Sequence, residues 1–97
     1  MVRRLYDDGR TNVLFVGRVI PNKKIDDLVR TFAFFQKWVR PRSRLLLVGD
    51  HRGFDRYFDR LRDLVSELRV DEVVFTGQVD DDELYAFYRV ADAFLCL

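Results

Sequence analysis

A chain of 97 residues with 17 Lys and Arg against 16 Asp and Glu, one His, one Cys and 48% apolar side chains has the composition of a single globular domain. The lone Cys96 excludes an internal disulfide and a cysteine-based zinc site, and it predicts a reducing, cytoplasmic setting. No apolar run approaches the roughly 18 residues of a membrane span, and residues 1–8 lack the apolar stretch of a signal peptide.

The near-neutral total conceals an asymmetry. Residues 1–44 carry 11 basic and 4 acidic side chains, whereas residues 45–97 carry 6 and 12. A basic half suits anionic ligands, but its cations are interrupted by apolar helix positions rather than forming a stripe with aromatics beside it. No nucleic-acid partner is therefore expected.

In chain order, residues 1–10 read as a polar N-terminal segment and residues 11–97 as the folded domain. The first apolar run, Val13-Leu14-Phe15-Val16, ends in Gly17. Two further runs repeat the pattern, Leu45-Leu46-Leu47-Val48 before Gly49 and Val73-Val74-Phe75-Thr76 before Gly77. Continuous runs of this kind are what strands buried on both faces of a parallel sheet require, and their spacing of about 30 residues is that of a βα unit.

Between the first two runs, Ile25, Leu28, Val29, Phe32, Phe35 and Val39 recur at helical spacing, and Pro41 stops the pattern. The second predicted helix carries Phe54, Tyr57, Phe58, Leu61, Leu64, Val65 and Leu68 on one face. The third begins at Asp80, placed to cap the free amides while Glu83 reaches back, and turns Leu84, Phe87, Tyr88 and Ala91 inward. A fourth apolar run, Ala93-Phe94-Leu95-Cys96-Leu97, closes the sequence. The predicted fold is α/β, a Rossmann-like βαβαβαβ unit: a partial doubly wound parallel sheet in strand order 3-2-1-4, truncated after its fourth strand.

In such a sheet the ligand lies outside the carboxyl ends of the strands, in the crevice where the winding reverses between the first and fourth strands. The loop there reads Gly17-Arg18-Val19-Ile20-Pro21-Asn22-Lys23-Lys24. Gly17 permits a tight exit, Arg18 offers a planar fork of donors, and Lys23 stands near a helix start that already favours an anion. These residues suit a diphosphate, although the same spacing describes a solvated basic loop. Neither G-x-G-x-x-G nor G-x-x-x-x-G-K-[ST] occurs.

The stretch from Phe15 to Leu28, FVGRVIPNKKIDDL, resembles the start of the carboxy-terminal domain of retaining GT-B glycosyltransferases, the "glycosyl transferases group 1" family. Leu46-Leu47-Val48-Gly49-Asp50, residues 74–84 and residues 88–95 resemble that family's second strand, its third strand with a capped helix, and its fourth strand. The resemblance implies a parent enzyme that moves a sugar from a nucleoside-diphosphate donor to an acceptor with retention, without a bound metal or cofactor. It assigns Arg18, Lys23 and Gly17 to the donor diphosphate, and Gln78 and Val79 to the nucleobase. It also implies that the acceptor domain and the acidic E-x7-E motif lie outside these residues, that no catalytic residue is among them, and that the fragment alone does not turn over. The parent would be cytoplasmic or peripheral to a membrane. A non-enzymatic α/β nucleotide-binding or signalling module is the alternative, although a receiver would need acidic residues where Arg18 and Gln78 stand.

Other conspicuous residues have plainer readings. His51 lacks a nucleophile or metal-ligand partner at useful spacing and reads as a surface side chain. Asp80-Asp81-Asp82-Glu83 reads as helix capping rather than a cation site, and Cys96 as a core thiol. Arg40, Arg42 and Arg44 read as solvated charge in a turn, and Asp50 as turn chemistry or a site residue. An apolar fourth strand at a sheet edge predicts self-association through that strand.

Overall fold

The computed structural model describes residues 6–95. Its elements are β1 (Thr11–Val16), a 3-10 turn (Pro21–Lys23), α1 (Ile25–Trp38), β2 (Ser43–Val48), α2 (Asp55–Glu67), β3 (Val73–Gly77), α3 (Asp81–Val90) and β4 (Ala93–Phe94). All strands are parallel, in the predicted order β3-β2-β1-β4. Alternation along the strands divides the core into two layers. Val13, Phe15, Leu45 and Leu47 face α1 and α2, packing with Ile25, Val29, Phe32 and Leu61. Leu14, Leu46 and Val48 face the opposite way, toward Phe87 of α3. Both faces of β1 and β2 are thus covered, which is why residues 13–16 and 45–48 are apolar without interruption.

Several helix and strand positions differ from the periodic reading. The inward stripe of α1 ends on Gln36 rather than Val39, because the helix stops at Trp38 and Val39 turns out to solvent. Gln36 is needed inside. Its amide donates to the carbonyls of Ser43 (3.1 Å) and Asp71 (2.6 Å), and its Oε1 accepts from the Asp71 amide. Tyr88 is exposed rather than inward, and Phe54, preceding α2, is also exposed. Phe75 is only half-buried, since β3 is an edge strand. Cys96 and Leu97 lie outside the described residues.

Arg44 is the largest correction. Arg40 and Arg42 are exposed as expected, but Arg44 retains 4% exposure at the start of β2. A buried guanidinium requires partners for its charge and donors. Asp8 supplies both carboxylate oxygens, at 2.6 and 3.2 Å, while Glu72 accepts from Nε at 3.2 Å and Asn12 from the remaining fork at 3.1 Å. The Tyr6 ring lies 4.9 Å from the guanidinium carbon and stacks on Phe87. The segment before β1 is therefore fastened to the sheet through one arginine.

Asn12 extends this network. Its side-chain nitrogen donates to the Tyr6 and Val90 carbonyls, and its backbone amide donates to Asp92 at 2.7 Å. The amino ends of β1, β2 and β4 are thereby tied to the end of α3.

Hydrogen bonding from Arg44 holds the Asp8 carboxyl down from its usual 3.8 to about 2. A depressed carboxyl adds stability above its unfolded pKa, and that contribution is lost as pH falls through the folded one. Asp8→Asn should therefore lower the melting temperature at neutral pH, with the gap to the unsubstituted chain closing as pH falls from 3.8 to about 2. A gap independent of pH, followed by circular dichroism, would contradict this role for the ion pair.

Candidate functional site

Gly17 and Gly49 directly follow β1 and β2, and Gly77 ends β3, all at one edge of the sheet, where the backbones come very close. A Cβ on Gly49 would lie far closer to the Gly17 carbonyl oxygen than any non-bonded contact allows. The absence of a side chain lets the turn leaving β1 lie over the end of β2, where Gly17 donates to Val48 O at 3.0 Å and Val19 to Asp50 O at 2.9 Å. Gly77 adopts φ of +71°, the left-handed turn that ends β3.

After Gly17 the chain crosses to α1 through buried Val19 and Ile20 and the Pro-led 3-10 turn. Lys24 is the N-cap of α1, with φ of 53° and ψ of 43°, and no side chain caps the helix. This left-handed non-glycine residue is an uncommon conformation. It directs the chain into the helix while leaving the first-turn amides without a side-chain acceptor. Asp26 and Asp27 in that turn are ion-paired with Arg30, at 3.2 and 3.5 Å.

A cleft of about 610 Å3 opens at this point, between the ends of β1 and β4. Gly17, Asn22, Lys23 and Lys24 form its polar side, and Tyr88 and Phe94 are among its apolar residues. Among the described residues, Arg18, Lys23 and Lys24 make no ion pair. The winding reverses at this crevice, so the structure brings Gly17 and Lys23 together at the expected place. Arg18 stands apart from the cleft lining, with its guanidinium carbon 5.9 Å from the centre of the Phe54 ring.

Gln78 and Val79 line a different cleft, of about 530 Å3, between the end of β3 and α3. The Gln78 side-chain oxygen accepts from Arg52, whose Nε also donates to Asp50 at 2.7 Å. Arg52 thus links the turns after β2 and β3. Arg52 is not legible as a site residue in the sequence, nor are Asn22 and Tyr88 as cleft residues. The signal for Lys24 was present in the loop itself, but Tyr88 matched a helical core stripe.

The remaining candidates take structural roles. The Asp50 carboxyl lies below its ordinary pKa, first because the Arg52 amide donates to it and then because the Arg52 guanidinium does. His51 stacks on Phe58, ring centres 3.9 Å apart, with Nδ1 3.6 Å from an Asp55 oxygen. Asp80 and Glu83 form a reciprocal cap: the Glu83 amide donates to Asp80 at 2.7 Å and the Asp80 amide to Glu83 at 3.3 Å.

The family model described as Glycosyl transferases group 1 matches residues 3–97, and the chain belongs to that family. Over 85 residues it is 40% identical to a D-inositol 3-phosphate glycosyltransferase of Kineococcus radiotolerans, covering 82% of this chain and 20% of that protein. It is 35% identical over 95 residues to a GDP-mannose-dependent alpha-(1-6)-phosphatidylinositol monomannoside mannosyltransferase of Mycobacterium tuberculosis, covering 96% and 23%. A mannosylfructose-phosphate synthase of Agrobacterium fabrum is 31% identical over 100 residues, with 98% and 22% covered. The chain spans about a fifth of the length of the curated relatives it matches.

The glycine contact yields a direct prediction. Gly49→Ala should cost about 1–3 kcal/mol, because the new methyl meets backbone that can relax only by moving the Gly17-Arg18 turn. Gly53→Ala has open space and meets only the backbone cost of its φ of +86°, about 1–2 kcal/mol. Amide chemical shifts should therefore move at residues 17–19 in Gly49→Ala and not in Gly53→Ala; unperturbed shifts there in both would refute the steric account.

Proposed function

We propose that this chain is the donor-binding half of a retaining GT-B glycosyltransferase, and that the cleft between β1 and β4 receives the diphosphate of a nucleoside-diphosphate sugar. The observation that carries the reading is the conjunction at one crevice of Gly17, Lys23, Lys24 and the uncapped start of α1. Backbone amides and the helix dipole favour the anion, and two ammonium groups supply full positive charge. The name of the mycobacterial relative, which specifies a GDP-mannose donor, supports a nucleotide-sugar substrate.

The leaving diphosphate develops negative charge as the glycosidic carbon–oxygen bond breaks. Cations fixed in place before reaction stabilise that charge without reorganising. Lys23, on the cleft wall, would take this role. Arg18 would reach the diphosphate by swinging from its seat beside Phe54. Gln78 and Val79 would meet the nucleobase, with Arg52 holding the Gln78 oxygen and leaving its amide donors outward. The acceptor and the groups that engage the sugar would come from other parts of the enzyme, which we place in the cytoplasm.

Isothermal titration with UDP, GDP and ADP tests the reading. The unsubstituted chain should bind at least one of them, and Arg18→Ala/Lys23→Ala should weaken binding ten-fold or more, as expected for lost charge-assisted contacts worth about 1.5–3 kcal/mol each. Equal affinity in the double variant would remove the diphosphate assignment.

We also infer that the chain pairs with itself through β4. Among the described residues no strand covers the outer side of β4, and Phe94 of that strand is 56% exposed. Leu95, by contrast, packs against the inner cluster, so a charge at Phe94 is the cleaner probe. Light scattering should report a dimer or larger species that Phe94→Lys shifts toward monomer. A monomer at every concentration would contradict the inference.

A further inference from the structure

Helix α1 carries a second apolar face. Its core stripe is buried, whereas Phe34 and Trp38, one turn apart on the side away from the sheet, are 65% and 67% exposed. The outer side of a surface helix is ordinarily polar. Two large aromatics there, followed by exposed Val39, form a concentrated spot rather than scattered apolar residues.

The charges around this spot are predominantly positive. Between Leu28 and Gly49 the sequence holds five basic residues and no Asp or Glu. Arg44 is consumed inside the fold and Arg30 is paired. Lys37, Arg40 and Arg42 make no ion pair among the described residues, nor does Arg69 across the neighbouring groove. That groove, about 640 Å3, runs from Phe34 and Lys37 to Leu68 and Arg69; Asp71 on its wall is held by Arg10. Lys37 Nζ lies 5.2 Å from the centre of the Trp38 ring. The C-terminal end of α1 and the turn after it lie at the amino ends of the strands, away from the β1–β4 cleft.

We propose that this corner of the domain docks on an anionic lipid surface, with Phe34 and Trp38 entering the headgroup layer and Lys37, Arg40, Arg42 and Arg69 lying against lipid phosphates. Aromatic rings on a convex helix face suit a soft interface, where ring bodies are buried and cationic stems snorkel to the charged layer. An acidic protein surface could answer the charges, but it would need recesses for two projecting rings. The proposal stands independently of the donor cleft, since it uses none of its residues.

Trp38 is the single tryptophan, so its emission reports this patch without a label. With vesicles of phosphatidylcholine containing about one-third phosphatidylglycerol, emission should shift to the blue and the chain should co-sediment. Pure phosphatidylcholine should give neither, and salt near about 1 M should reverse binding. Lys37→Ala and Arg69→Ala should each lower the partition coefficient about five-fold, while Phe34→Ser, folded by circular dichroism, should lose binding. No binding of the unsubstituted chain to anionic vesicles, equal binding to neutral ones, or undiminished binding by Phe34→Ser would overturn the proposal. So would a change of oligomeric state in Phe34→Ser with no vesicle binding, which would make the face a contact between copies.

Discussion

The carboxyl edge of this domain depends on two backbones meeting without a side chain between them. Gly49 lies so close under the Gly17 carbonyl that no other residue fits, and that contact fixes the direction in which the chain leaves β1. From there the path through Val19, Ile20 and the 3-10 turn is set by burial, and it delivers Lys23, Lys24 and the bare start of α1 to the crevice beside β4. The candidate site is thus a consequence of strand packing. Loops that carry function are ordinarily the adaptable part of a fold; here the loop of the candidate site is pinned at its root.

The two edges of the sheet treat charge in opposite ways. At the amino edge, Arg44, Asn12 and Gln36 are buried and their hydrogen bonds run to backbone or side chains of several different elements. Such a network is costly if any partner is lost, which makes it a means of fixing register rather than a source of adaptable binding. At the carboxyl edge, Arg18, Lys23 and Lys24 are unpaired among the described residues, and Asp50 and Gln78 are engaged by Arg52. The buried cation of the amino edge, Arg44, is therefore committed to structure, whereas the cations of the loop after β1 make no ion pair among the described residues.

Much of this was legible in the sequence where one residue type has one physical use. Apolar runs ending in Gly17, Gly49 and Gly77 gave parallel strands, their direction and the ligand edge, and Asp80 with Glu83 gave the start of α3. The polar interior was not legible. Arg44 in Arg-Pro-Arg-Ser-Arg looks like turn charge, and its partners Asp8 and Glu72 are 36 and 28 residues away. Gln36 and Val39 exchanged roles because the helix ends one residue before the apolar one. Tyr88 fits a helical stripe by spacing, yet α3 has only one face against the sheet, and Tyr88 lies beside Phe94 at the cleft. Periodicity locates a stripe, but only the neighbouring elements decide how wide it is.

On our proposal the crevice between β1 and β4 holds a nucleoside diphosphate. Titration of the 15N-labelled chain with GDP and UDP, followed by amide chemical shifts, tests it most directly. The largest perturbations should fall at Gly17, Lys23, Lys24 and the first turn of α1, with residues 11–12 and 43–45 at the amino edge unmoved. Perturbations confined to the amino edge or to the outer face of α1, or none at all at saturating ligand, would contradict it.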